Sequence, residues 1–182
     1  MTRNVPFLAL AALLLLAAPA GDSRAWDPMA EQKDKEVVEE TLQSFKKAEP
    51  RLKVYFENAY GYAIFPTVDK AGLFVGGAYG KGKVFVGGKD VGLATLSQGS
   101  VGLQFGFEAY SELIFFGDKA AFEAFKEGKA KFAASATAYA IKGGAAAVAN
   151  YSDGVAVFVK GKGGLMADAS LGGQTFTFEP RK

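Results

Sequence analysis

The residues best suited to chemistry lie in the stretch Gly76–Gly92, which reads GGAYGKGKVFVGGKDVG. Glycine beside lysine can cradle phosphate. The run GAYGKGKV, Gly77 to Val84, matches the nucleotide loop G-x-x-x-x-G-K up to its last position. There Val84 replaces the serine or threonine whose hydroxyl would ligate magnesium. Val84-Phe85-Val86 also reads as a strand, whereas a phosphate loop must open a helix. The dinucleotide fingerprint fails as well, because Phe85 stands where its third glycine belongs. The glycines serve better as turns: Gly80-Lys81-Gly82 and Gly87-Gly88-Lys89-Asp90 are expected to reverse the chain, since glycine readily takes positive φ. That places Lys81 and Lys89 at or near hairpin tips, with Lys83 just inside its strand.

Other chemistry has little to work with. The chain contains no histidine and no cysteine, which excludes or weakens the common triads, thiol nucleophiles and zinc sites. Carboxylates remain at Asp69, Asp90, Glu108, Glu112, Asp118, Asp153 and Asp168. None sits in a D-x-D, E-x-x-E or calcium-loop spacing. Two of them brought together by folding would suffice to hydrolyse a sugar, but no spacing signals it. The expectation is a non-enzymatic protein with no cofactor and no metal. A net charge of +2 on 182 residues also argues against nucleic acid as a partner, because duplex binding needs a markedly basic face.

The elements that position these residues follow from composition. Arg3, an apolar run of twelve residues from Phe7 to Ala18, and the small-residue ending Ser23-Arg24-Ala25 have the build of a signal peptide. The run is shorter than the 20 or so residues a membrane span needs. Residues 1–25 are therefore expected to be removed on export, most simply to a bacterial periplasm. Without cysteine the product would be neither disulfide-bonded nor a lipoprotein.

Beyond Gly21, every glycine lies between Gly61 and Gly173. Residues 26–59 have none, and about half of the positions from Asp27 to Lys53 are charged. Val37, Val38, Thr41, Leu42 and Phe45 recur at helical spacing and predict a helix over about 31–47, interrupted by Pro50. Leu52, Tyr55, Phe56 and Ala59 predict a second, short one. In residues 60–179 the period falls towards two. Strands are expected over Leu73–Tyr79, Lys83–Val86, Val91–Leu96, Val101–Ala109 and Leu113–Phe116, then over Lys131–Ile141, Ala145–Tyr151, Val155–Val159, Leu165–Leu171 and Gln174–Phe178. Asp118 can cap a short helix over 118–127, with Phe122 and Phe125 inward and Gly128 closing it. Ser152-Asp153-Gly154 and Gly172-Gly173 suit tight hairpins. The pattern is α+β: a strongly twisted, partly barrel-like antiparallel β-sheet with N-terminal helices and one short inserted helix. The small side chains of KFAASATAYAIKGGAAAVA favour close packing of another layer, with a cavity for an acyl chain as the alternative.

From Tyr62 to Gly82 the chain reads YAIFPTVDKAGLFVGGAYGKG. This resembles the SYLF domain, a lipid-binding family also described as the Ysc-type actin-binding domain. The resemblance is carried by Phe65-Pro66, Lys70-Ala71-Gly72, Gly76-Gly77 and Tyr79-Gly80-Lys81-Gly82. Further on it includes SQGSVGLQFG (Ser97 to Gly106), Leu113 to Phe116 before the inserted helix, and Gly164-Leu165-Met166. It spans about residues 31–179. It implies N-terminal helices beside a twisted sheet, and binding of phosphoinositides or other anionic phospholipids, as in eukaryotic members. An exported bacterial protein would rarely meet phosphoinositides or actin, so those ligands do not carry over unchanged.

The leading expectation is thus a non-enzymatic binder of anionic phospholipid headgroups at a membrane surface. Lys70, Lys81, Lys83 and Lys89 are the expected contacts, with Tyr79 and Phe85 as apolar insertions. Four lysines near an anionic surface contribute about 1 kcal/mol each. That corresponds to a dissociation constant near ~1 mM, so tighter binding needs apolar insertion or a shaped pocket. The alternative is an envelope structural or protein-interaction module whose lysines are merely solvated.

Overall fold

The computed structural model describes residues 28–72, 75–101, 106–129, 139–140, 151–161 and 173–181. The residues of the expected signal peptide, Gly164-Leu165-Met166, the strand expected over Leu165–Leu171 and all of the alanine-rich segment except Tyr139–Ala140 lie outside them. Two helices come first, α1 (Pro28–Ala48) and α2 (Leu52–Asn58). Strands β1 (Gly61–Gly72), β2 (Val75–Val86), β3 (Lys89–Val101) and β4 (Gly106–Phe116) follow. Helix α3 (Lys119–Lys126), the two-residue β5 (Tyr139–Ala140), β6 (Val155–Gly161) and β7 (Gln174–Pro180) complete the order.

Helix α1 presents Val38, Leu42 and Phe45 to the protein, one turn apart as an amphipathic stripe requires. Val37, expected on that stripe, is exposed. Glu31 in the first turn and Lys46 and Lys47 in the last complement the helix dipole. At its end the buried Glu49 pairs with Arg51 at 2.7 Å and accepts the Arg51 backbone N–H. Pro50, lying between them, keeps α1 from continuing into α2. At α3, the Asp118 carboxylate accepts the Ala121 N–H at 2.8 Å, Phe122 and Phe125 are buried, and Gly128 ends the helix with φ of +66°.

Among the described residues the strands form one seven-stranded sheet in the order β5-β6-β4-β1-β2-β3-β7, antiparallel except for the short parallel β5–β6 pair. The long central strand β1 interrupts the expected pattern, because residues 61–66 do not read as a strand and Pro66 cannot donate to a ladder. The pairing with β2 shifts between Ile64 and Thr67, and that with β4 between Phe65 and Val68. Pro66 thus occupies a bulge, where a missing N–H is tolerated. Its carbonyl accepts the Ser111 hydroxyl at 2.7 Å.

Two cores lie on opposite faces of the sheet. On one face Ile64, Leu113, Phe115, Ala156 and Phe158 pack against α1 and α2. On the other, Phe65, Val68, Val84, Leu96, Ile114, Phe116, Val157 and Phe176 surround α3. Gln174 on β7 donates to Glu112 on β4 at 3.0 Å, although three strands separate them in the sheet order. Four interstrand steps of about 4.8 Å would place them about 19 Å apart on a flat sheet. The sheet therefore coils around α3 as part of a barrel. Its edges, β5 and β7, do not pair with each other among the described residues.

Candidate functional site

Strand alternation sorts the expected contact residues onto different surfaces. On β2 the side chains of Ala78 and Val84 enter the α3 core, so Tyr79, Lys81, Lys83 and Phe85 point to the α1 face. Helices α1 and α2 pack over β6, β4 and β1 on that face, with Phe85 at the margin, and the first turn of α1 reaches the far end of the sheet, where Glu31 pairs with Arg181 just beyond β7. Phe85 is half-buried and stacks on Tyr62 at 4.9 Å between ring centroids. Lys83 is 6% exposed and pairs with Asp90 at 3.6 Å. Lys70 lies in register with Ala78, hence on the α3 face. Lys89 is exposed at the β2–β3 turn, where Gly87 and Gly88 have φ of +55° and +76°.

The four lysines therefore do not form one cluster. Lys81 alone stands free on the open α1 face. The reading of Gly80-Lys81-Gly82 as a turn is also corrected, since β2 runs straight through it. Those glycines answer a close approach instead: a Cβ on Gly82 would lie 2.7 Å from the Phe65 ring and 2.5 Å from the Ile64 carbonyl. A Cβ on Gly80 would lie 2.8 Å from Val68. Other residues of the quoted motifs serve structure too. Phe65 is fully buried in the α3 core, Pro66 holds the bulge, and Ala71 and Gly72 pair with Gly77 and Gly76 across β1 and β2.

Beyond β1 the α1 face is open and its composition can be read from register. Tyr79, Ser97 and Thr175 form one cross-strand row, and Lys81, Thr95 and Thr177 the next. Lys83, Leu93 and Glu179 form the third. Tyr79 and Leu93 are each 50% exposed. The result is a hydroxyl-rich sheet surface carrying one free ammonium, the Glu179 carboxylate, an aromatic ring and an aliphatic side chain, with the exposed Asp69 of β1 in register with Tyr79 at its margin. Leu93 has no counterpart among the residues expected from sequence; strand alternation alone would have placed it beside Lys83.

A second feature lies where α1 crosses the β4–β6 pair. A cleft of about 270 Å³ is bordered by Glu40, Thr41, Ser44 and Phe45 of α1 with Ser111, Lys160 and Gly161. The Lys160 ammonium donates to the Ser44 hydroxyl. Thr41 and Ser111 hydroxyls donate to the carbonyls of Val37 and Pro66. These residues were not singled out from sequence.

On the α3 face, Glu112 is fully buried and its carboxyl is pushed up to about 8, because burial disfavours the charged form. Gln174 bonds one carboxyl oxygen, while Oε1 of Glu112 and Oε1 of Gln174 have no hydrogen-bond partner. Burial, followed by the nearby Glu112 carboxylate, also raises the neighbouring Tyr110 hydroxyl. Among the described residues no group of acidic side chains has a metal-binding arrangement, and no helix is long and apolar enough to cross a membrane.

No family model matches the chain. Among curated proteins it is similar to beta cell expansion factor A of Aeromonas veronii, with 32% identity over 140 residues. The match covers 70% of this chain and 49% of that protein, so the chain spans about half the length of the curated relative it matches.

Proposed function

We propose that the protein is a non-enzymatic binder of anionic phospholipid surfaces in the cell envelope, acting through the open α1 face of β2, β3 and β7. The observation that carries this reading is the grouping of half-exposed Tyr79 and Leu93 around the free Lys81. Aromatic and aliphatic side chains that share a surface with a lysine suit the boundary between headgroups and acyl chains. The surrounding hydroxyls of Thr95, Ser97, Thr175 and Thr177 can bond phosphate and ester oxygens. The SYLF resemblance supports the same ligand class.

Magnitudes refine the mode. A single lysine contributes about 1 kcal/mol at an anionic surface. Insertion of a Leu or Tyr side chain contributes about 1.5–3 kcal/mol when burial is complete. Apolar insertion therefore dominates, and binding is only weakly salt-dependent.

Flotation with vesicles of phosphatidylglycerol in phosphatidylcholine tests the proposal. Wild-type protein is expected to float with them, and the triple variant Tyr79→Ser, Lys81→Glu, Leu93→Ser to stay behind with an unchanged melting temperature. Absence of wild-type flotation at low salt, or equal flotation of the variant, overturns the reading in favour of a protein-interaction module.

A further inference from the structure

The cleft between α1 and the β4–β6 pair has the chemistry of an anion site that is independent of the open sheet face. Lys160 is only half-buried, and its hydrogen bond to Ser44 occupies one of three ammonium protons. Among the described residues it has no carboxylate partner within ion-pair distance. Glu40, although it borders the same cleft, is not paired with it. Ser44 accepts from Lys160, which leaves the Ser44 proton available to donate. Thr41 and Ser111 cannot donate further, because their protons are committed to the Val37 and Pro66 carbonyls, but their lone pairs remain acceptors. The cleft therefore offers donors from Lys160 and Ser44 at one position. Acceptors come from Thr41, Ser111 and the Glu40 carboxylate around it.

We propose that this cleft binds a phosphate ester whose alcohol portion carries a hydrogen-bond donor, an amine or hydroxyl. The phosphate oxygens take the free protons of Lys160 and Ser44, as charge-assisted bonds of this kind favour. The amine or hydroxyl of the ester is accepted by Glu40. A carboxylate beside the ammonium argues against bare phosphate, which Glu40 would repel. A volume of about 270 Å³ accommodates a small ester such as phosphoethanolamine. The same chemistry is offered by a free ester and by a lipid headgroup.

Isothermal titration with phosphoethanolamine, phosphocholine and inorganic phosphate tests the site. Flotation with phosphatidylethanolamine-containing vesicles tests the lipid source. Phosphoethanolamine is expected to bind at least about tenfold more tightly than inorganic phosphate. Lys160→Met, which keeps the apolar stem, is expected to lower that affinity about tenfold or more. Glu40→Gln should narrow the preference for phosphoethanolamine over phosphocholine, which has no N–H, while leaving the melting temperature unchanged. Saturable binding of the soluble ester with flotation indifferent to Lys160→Met assigns a free ligand. Flotation lost in Lys160→Met but retained in the Tyr79, Lys81 and Leu93 variant assigns a headgroup. If wild-type protein binds none of the probes, or Lys160→Met and Ser44→Ala bind them as wild type does, the inference is overturned. Neither of those results bears on the open face, whose own variant reports separately.

Discussion

The two halves of the sheet are built on different terms. Strands β6, β4 and β1 are covered on both faces, by α1 and α2 on one side and by α3 on the other. Their residues are correspondingly large: Phe115 and Phe158 beneath Tyr55 and Phe56, and Ile114 and Phe116 on the opposite face. Strands β2, β3 and β7 are covered on the α3 side and largely open on the other, where Tyr79 and Leu93 are each 50% exposed. Their residues on that side are hydroxylic or charged, apart from Tyr79, Leu93 and the half-buried Phe85, and Gly80 and Gly82 lie against β1 where it approaches most closely. Stability is concentrated in the first half. The second half is left free to present a surface, and substitutions should separate the two.

The largest effect is expected from Phe115→Ala, which removes a fully buried ring packed on Tyr55, Phe56 and Phe158. A loss of about 3–5 kcal/mol in denaturant unfolding is expected; less than about 1 kcal/mol would show that the doubly covered half does not dominate stability. Next comes the pH response of Glu112. Its carboxyl titrates near 8 when folded, against an ordinary 4.5. The folded state thus holds the proton over a window where the unfolded chain has lost it. Stability should fall by a few kcal/mol as pH rises from about 4.5 through about 8, then level off. Melting curves of Glu112→Gln across that range should lack this decline.

Gly82→Ala should cost about 1–3 kcal/mol, because the new methyl meets the Phe65 ring and the Ile64 carbonyl. Gly99→Ala, with nothing within 4 Å of the added carbon, should stay within about 0.5 kcal/mol. Equal melting temperatures for these two variants would contradict the close approach of β1 to β2. Asp118→Ala, which removes the α3 cap, is expected to cost about 1 kcal/mol. Leu93→Ser on the open face should leave the melting temperature within error while reducing flotation.

Much of this architecture was legible where pattern and packing agree. Leu42 and Phe45 at helical spacing, Asp118 before Phe122 and Phe125, and the Gly87-Gly88 turn all read correctly, because local propensity and burial point the same way there. β1 did not, since the bulge at Pro66 breaks the alternation by which a strand is recognised. The Gly80-Lys81-Gly82 reading failed for a related reason: a glycine demanded by a neighbouring strand has the same letter as one demanded by a turn. The lysines of the Gly76–Gly92 stretch are close in sequence and dispersed in space. Lys160, Ser111 and Ser44 are far apart in sequence and meet in one cleft. Proximity of that kind depends on the order of strands in the sheet, which no local motif encodes.

Strand β7 has a consequence for the molecule's behaviour at high concentration. It pairs with β3 from Gln98 to Gly92, so it covers a backbone row that would otherwise be open to pairing with another chain. Its own outer edge, unpaired among the described residues, is a weak template for aggregation. It is seven residues long, ends in Glu179 and Pro180 and is followed by Arg181, where proline offers no N–H and like charges resist stacking of copies. The last strand in the chain thereby guards the sheet against its own kind. Truncation before Gln174 would expose the longer edge of β3.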